Sequence, residues 1–444
     1  MTIHIPNAHI INPDRSFHAD IRIENGKIAA LEKPGALPEG YDAETLDASG
    51  MLVIPGGIDP HVHLSLPTPA GFSADDFKTG SRAALAGGVT HIIDFVTPLR
   101  GQGLAEALQQ RKQEAKDCIT GLDFHMGISG WLPDMEKQME VCVKEHGIKS
   151  FKTYLAYRKN IGIGYDELEK VMQIAARLGA IVLVHAEEDD AIESLRQEFV
   201  IKGMTHPRYH AMSRPPESES RAVEKVIGLV QKTNCTVYLV HISAAESAEH
   251  IAEARKKGLP LYAETCPQYL IHDTGVYEGS FVETAPFVFS PPARPPGHKE
   301  ILWNHLSHDT FDIVGTDHCP FTMQQKKAGQ DNFTLIPNGA GGLEFRIPLL
   351  YHYGVKQNKI SVQQWIQLSS SNATYIFGLK NKGRIEVGKV ADLVLFNPDR
   401  KHILSASSQY QNCDINIYEG MEITGKPELT ILAGKKVSIS NVNK

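Results

Sequence analysis

The segment Asp59-Pro60-His61-Val62-His63 follows an apolar run at 51–54. In an extended backbone residues i and i+2 point to the same side, so the two imidazoles can converge on one point and offer paired nitrogens to a divalent cation. With 20 histidines in 444 residues, about one His-x-His pair is expected by chance, so the pair takes its meaning from its surroundings. Those surroundings hold further polar residues at the ends of apolar runs: Lys152 within 150–155, His185 after 181–184, His241 after 237–240 and Asp317 after 313–315. Singly, each has an ordinary reading. A histidine after a strand is commonly a hydrogen-bonded rim residue, a strand lysine points to solvent, and an aspartate after Gly-Thr caps a helix. Jointly, four imidazoles and a carboxylate form an all-nitrogen-and-oxygen set suited to Zn²⁺ or another divalent first-row ion. Lys152 stands apart, because an ammonium repels cations.

Such residues work together only if the chain brings strand ends to one place. Eight apolar runs read as strands, around 52–58, 91–96, 122–126, 150–155, 180–184, 236–240, 261–264 and 311–314. Helical periodicity falls between most of them, for example at 75–86, 165–178, 218–230 and 244–256. This alternation predicts an α/β fold, a (β/α)₈ TIM barrel whose strand C-termini share one face, the face on which active sites are built. A doubly wound open sheet is the alternative, but no G-x-G-x-x-G follows the first strand. The chain ends read differently. Short strands at 20–23 and 28–31 flank the Asn25-Gly26 turn signal, and 391–396 and 429–432 are short apolar runs between breaks. These predict a small composite β-sandwich domain from 1–55 and 380–444, with the catalytic barrel over 56–379.

A net charge of −7, with 42% hydrophobic and 22% charged residues, excludes a polyelectrolyte nucleic-acid binder and a disordered chain. No apolar run approaches the roughly 18 residues of a membrane span, and the first residues lack the build of a signal peptide, so no membrane partner and a cytoplasmic location are expected. Six scattered cysteines form no C-x-x-C pair, which leaves any metal to nitrogen and oxygen ligands. A nucleophilic pairing of His318 with Cys319 is set aside, because neighbours on a strand project to opposite sides.

The residues assembled so far resemble those of the amidohydrolase superfamily, in its cyclic-amidase branch of dihydropyrimidinases and hydantoinases. The likeness is carried by PGGIDPHVH at 55–63, SFKTYLAY at 150–157, His185-Ala186-Glu187, His241-Ile242-Ser243, ETCPQY at 264–269, FSPPAR at 289–294, GTDHCPF at 315–321, IPNG at 336–339 and GRIEVGKVADLVLF at 383–396. The resemblance implies two divalent metal ions, with Zn²⁺ expected. One would be held by His61, His63 and Asp317 and the other by His185 and His241, bridged by Lys152 carboxylated on its Nζ. That modification turns the ammonium into an anionic two-oxygen ligand. The resemblance further implies Tyr157 as the oxyanion donor, backbone groups of Ser290 and Asn338 as the contacts of the ring amide, Asp317 as the proton carrier, and a homo-oligomer, a tetramer by kinship.

The implied reaction is opening of a cyclic ureide or imide, a dihydropyrimidine or 5-substituted hydantoin, by a metal-bridging hydroxide. Allantoinase and dihydroorotase chemistries are the alternatives, and a metal-free scaffold protein of the same branch is the non-enzymatic one. Ser65 occupies the position where dihydroorotases carry a carboxylate-gripping arginine, which counts against dihydroorotate. Tyr157 favours the hydantoinase side over allantoinases.

Overall fold

The computed structural model describes residues 2–36 and 43–437. Its central sheet consists of β1 (Gly57–Val62), β2 (Val89–Val96), β3 (Gly121–Gly127), β4 (Ser150–Tyr154), β5 (Ile181–His185), β6 (Val237–Leu239), β7 (Leu261–Thr265) and β8 (Ile313–Val314). The strands pair in sequence order and every pairing is parallel. β1, β2 and β4 are buried at every residue, the mark of parallel strands covered on both faces, so their apolar runs show no alternation. Helices cover the outside, among them Phe77–Ala86, Tyr165–Leu178, Pro216–Thr233 and Ala245–Lys256. Asp76 caps the first of these in a reciprocal capping box with Thr79, and Gly179, at φ 65°, ends the second in a left-handed turn.

The seam between β1 and the segment after β8 is closed by polar groups. Val62 and His318 form a parallel bridge, and the His63 N–H donates to the His318 carbonyl at 2.8 Å. The Thr316 hydroxyl donates to Asp59 at 2.7 Å. The buried Arg346 guanidinium donates to the carbonyls of Ile58 and Val314 at 2.9 Å each. The sheet is thus the TIM-type barrel that the strand–helix alternation predicts.

One expected strand is two. The run 52–58 divides into Leu52–Pro55 and β1, with Leu52–Pro55 pairing parallel to Thr2–Ile11 and antiparallel to Leu393–Ile403. Gly56 is the joint, and a Cβ there would stand 2.2 Å from the Thr90 hydroxyl. An uninterrupted apolar run carries no mark of where one sheet hands over to the next, because both sides are buried.

Both chain ends contribute to a second, hydrogen-bonded sheet: Thr2–Ile11, Ser16–Glu24, Lys27–Glu32, Glu44–Thr45 and Leu52–Pro55 join Leu393–Ile403, Glu422–Leu432 and Lys435–Val437. The hairpin turns at Asn25 (φ 51°) and Gly26 (φ 78°), the positive pair that a two-residue turn of this kind requires. Ile3, Ile5, Ile10, Ile21, Ile28, Leu393 and Leu395 form a core of their own under this sheet. Of the composite domain expected over 1–55 and 380–444, residues 1, 37–42 and 438–444 lie outside the described residues. Among the described residues no helix is long and apolar enough to cross a membrane.

Candidate metal centre and its surroundings

His61 lies in β1 and His63 just beyond it, Lys152 lies in β4, His185 ends β5, and His241 and Asp317 follow β6 and β8. All sit at the C-terminal end of the barrel. Nε2 of His61 and Nε2 of His63 each lie 3.1 Å from Oδ1 of Asp317. His185 Nδ1 stands 2.9 Å from His241 Nε2, and the His61 and His241 ring centres are 5.4 Å apart. His61, His241 and Asp317 can each offer one ligand atom within 4.8 Å of the others. The Lys152 amine lies 5.0 Å from the Phe95 ring and 4.9 Å from the Tyr154 ring. Phe95 also packs on His61 and His63, and Tyr154 on His185, so the lysine tip is walled in with the imidazoles.

One donor is left stranded: Lys152 Nζ is buried with no hydrogen-bond partner among the described residues, while the ring nitrogens that meet, Nε2 of His61, His63 and His241 and Nδ1 of His185, face Asp317 and one another. His185 Nε2 meets the Glu187 carboxylate at 2.7 Å, which makes Nε2 the protonated nitrogen and leaves Nδ1 with a lone pair aimed at His241. A buried donor left unpaired costs about 1–3 kcal/mol, and divalent cations with an anionic lysine adduct would suit both that amine and the converging imidazoles. The donor set therefore fits a metal centre.

Charge follows the same geometry. Burial disfavours an imidazolium at His61, but the carboxylates of Glu264 and Asp317 outweigh it and lift the ring to about 9. Burial also works against the charge on Asp317, yet His61 and His63 hold its carboxyl well below the usual range. Burial pushes the His63 ring down to about 4 and the Lys152 amine down to about 8. His241 (φ 41°), Asp317 (φ 53°) and Tyr157 (φ 61°) adopt left-handed backbone, a strain of about 1–3 kcal/mol per residue that persists where surrounding contacts dictate it. At His241 one such contact is its own N–H, which donates to Glu264 at 3.1 Å.

The remaining predicted residues form an outer group. The Tyr157 ring lies 5.5 Å from that of His185, beside the candidate metal ligands. Ser290 and Asn338 meet each other, the Asn338 amide donating to the Ser290 hydroxyl at 3.1 Å. His210 Nε2 is 2.9 Å from the Phe289 carbonyl and 3.4 Å from the Ser290 hydroxyl. The helix Arg208–Met212 that bears His210 leads to Arg214, whose guanidinium stands 5.0 Å over the Tyr157 ring.

Residue-type reasoning passed over three supporting groups. Glu264 receives His61 Nδ1, the Tyr238 hydroxyl at 2.8 Å and the His241 N–H. Glu187 is bonded to His185 and to Arg214. Carboxylates behind ligand imidazoles fix the tautomer and orientation of the ring. Glu264 could be found from the sequence, since it lies near the end of an apolar strand as the candidate ligands do. Arg214 carries no comparable mark, as it lies between helices.

The family model of the amidohydrolase family matches residues 52–437. A D-hydantoinase of Geobacillus stearothermophilus is 38% identical over 440 residues, which is 98% of this chain and 93% of that protein. A dihydropyrimidinase of Dictyostelium discoideum is 37% identical over 444 residues, 99% of this chain and 88% of that one. The crystal structure of a dihydropyrimidinase from Brevibacillus agri superposes with a TM-score of 0.96 at 36% identity, covering 98% of this chain and 95% of its own. This chain belongs to the amidohydrolase family. Within that family it aligns almost end to end with proteins named D-hydantoinase and dihydropyrimidinase, as the motif resemblance implies.

Proposed function

We propose that this protein is a hydrolase that opens the amide bond of a cyclic ureide or imide, a dihydropyrimidine or a 5-substituted hydantoin, at a centre of two divalent ions. The observation that carries the reading is the gathering of four imidazoles and the Asp317 carboxylate near a buried Lys152 amine with no hydrogen-bond partner among the described residues, in a chain that matches hydantoinases and dihydropyrimidinases over nearly its whole length. His61, His63 and Asp317 would hold one ion, His185 and His241 the other, and carboxylated Lys152 would link them. Burial supports that modification, because an amine with a lowered pKa is more often neutral, and the neutral amine is the form that adds to CO₂. Imidazole-rich, thiolate-free donors favour Zn²⁺. Bound there, the ions would acidify water and polarise the substrate carbonyl.

The side chains then divide the work. The Asp317 carboxylate takes the proton of the attacking water and delivers it to the ring nitrogen as the C–N bond breaks. The Tyr157 hydroxyl donates to the oxygen of the tetrahedral carbon, where charge develops. Main-chain groups of Ser290 and Asn338 pair with the ring N–H and C=O, which have fixed relative positions and need no charged clamp. We propose further a sandwich-like terminal domain over 1–55 and 380–444 with the barrel over 56–379, a homo-oligomer, on kinship a tetramer, and a cytoplasmic location, in keeping with six free cysteines.

The test is metal content with parallel assays on dihydrouracil, hydantoin, allantoin and dihydroorotate. Two ions per chain and turnover of the first two rings are expected, with both lost in His61→Ala. Full activity in metal-free protein overturns the reading, and turnover of allantoin or dihydroorotate alone reassigns the ring.

A further inference from the structure

Lys326 closes the short helix Met323–Lys326 and is 1% exposed. Its Nζ donates to the carbonyls of Val288, Pro337 and Gly339, each at 2.8 Å, and lies 5.7 Å from the Phe321 ring. An ammonium has three N–H donors and no acceptor, so the three carbonyls satisfy it completely. Those carbonyls come from two separate connections. Val288 lies two residues before Ser290, and Pro337 and Gly339 flank Asn338. The connections are otherwise joined by Gly339 N–H donating to Val288 at 3.0 Å and by the Asn338 side chain on Ser290. Three carbonyl dipoles aimed at one buried point repel one another unless a cation stands there.

We infer that Lys326 is a positioning residue for ring recognition: its ammonium clamps the 288–290 and 337–339 connections together, so that the main-chain groups of Ser290 and Asn338 present one fixed pattern to the substrate amide. The inference rests on the assignment of those two residues as ring contacts. The three carbonyls take up all three donors of the Lys326 ammonium and leave none for another partner. Its removal therefore relaxes the spacing of the recognition groups and leaves the metal cradle in place.

The experiment compares metal-loaded wild type with Lys326→Met, and with Lys326→Gln, which keeps two N–H donors, should the first fail to fold. Metal content and steady-state kinetics are measured on hydantoin and on its N-methylated analogue. Metal content is expected to stay unchanged while kcat/KM on hydantoin falls about 10–30-fold, mostly through KM, as loss of one or two well-placed hydrogen bonds produces. Lys326→Gln is expected to fall between wild type and Lys326→Met. The preference of the wild type for the unmethylated ring is expected to shrink, a change that general loosening of the fold would not bring. An unchanged KM and preference in a folded, metal-loaded variant overturns the inference, as does loss of metal. Absence of ring opening in the wild type instead rejects the proposed function, so the two failures are separate.

Discussion

His185 is placed by strand register: it pairs opposite Tyr154 across β4 and β5, so the sheet sets its position. Ser290 and Asn338 have no such frame. They stand on the connections that follow β7 and β8 and owe their spacing to each other and to a buried ammonium. On the proposed reading both groups serve the same barrel mouth, with the candidate metal ligands anchored in the sheet and the candidate ring contacts anchored by side chains beneath the loops. Rigid strand ends suit ligands that must converge within ångströms, and connections suit a surface that differs from one ring to another. Substitutions in the cradle should therefore abolish chemistry, and substitutions in the recognition layer should shift KM.

The largest effect is expected at Lys152. Lys152→Ala removes the proposed link between the two proposed ion sites and should lower turnover by more than about 10³-fold with loss of bound metal. Metal analysis beside the assay checks it. A ¹³C signal from labelled CO₂ on wild-type protein, absent in the variant, would locate the adduct. Next comes Tyr157→Phe, for which a loss of about 10²–10³-fold in kcat with little change in metal content is expected. Equal kcat would remove the tyrosine from the mechanism and leave the cradle alone responsible for the developing charge.

Glu187→Gln probes the support behind the cradle. The variant keeps an acceptor for Arg214 but weakens the hold on His185, so metal affinity should fall about 10–100-fold in a competition titration. The same residue has a pH signature. Burial opposes its charge, but Arg214 and His185 outweigh burial and draw the carboxyl from 4.5 down to about 2. A depressed carboxyl stabilises the folded state fully above its unfolded value and loses that contribution as pH falls from about 4.5 towards 2. Acid unfolding of metal-free protein, followed by circular dichroism, should be less steep across that window in the variant.

The same contrast decides what could be read from the sequence. His61, His63, Lys152, His185, His241 and Asp317 were visible because each ends an apolar run, and in a parallel barrel all such ends face one way. The alternation of strands and helices yielded the barrel, and Asn25-Gly26 yielded the hairpin. The division of 52–58 between two sheets was hidden, because an apolar strand buried on both faces looks alike in either sheet. Glu187 and Arg214 were hidden as partners, since their pairing joins residues 27 apart across two helices and the turn between them, with no repeating pattern. Lys326 was the least visible of all. In the sequence it is one of two adjacent lysines in a polar stretch, and only the folded chain shows that one of the pair is buried against three carbonyls.

The smallest effect, and the finest test of the contrast, belongs to Asn338→Ala. If recognition uses main-chain groups, the Asn338 side chain contributes only its 3.1 Å bond to the Ser290 hydroxyl, a partly exposed contact whose net value is about 1 kcal/mol. KM on hydantoin should then rise no more than about fivefold, with kcat and metal content unchanged. A side chain placed directly at the recognition surface would thus matter less than Lys326, which stands behind it. That order follows from where the polar groups are anchored, because main-chain positions survive loss of the local side chain but not loss of the clamp that spaces them. Should Asn338→Ala prove more damaging than Lys326→Met, recognition runs through the amide side chain itself, and the two halves of the site are built more alike than the hydrogen bonds indicate.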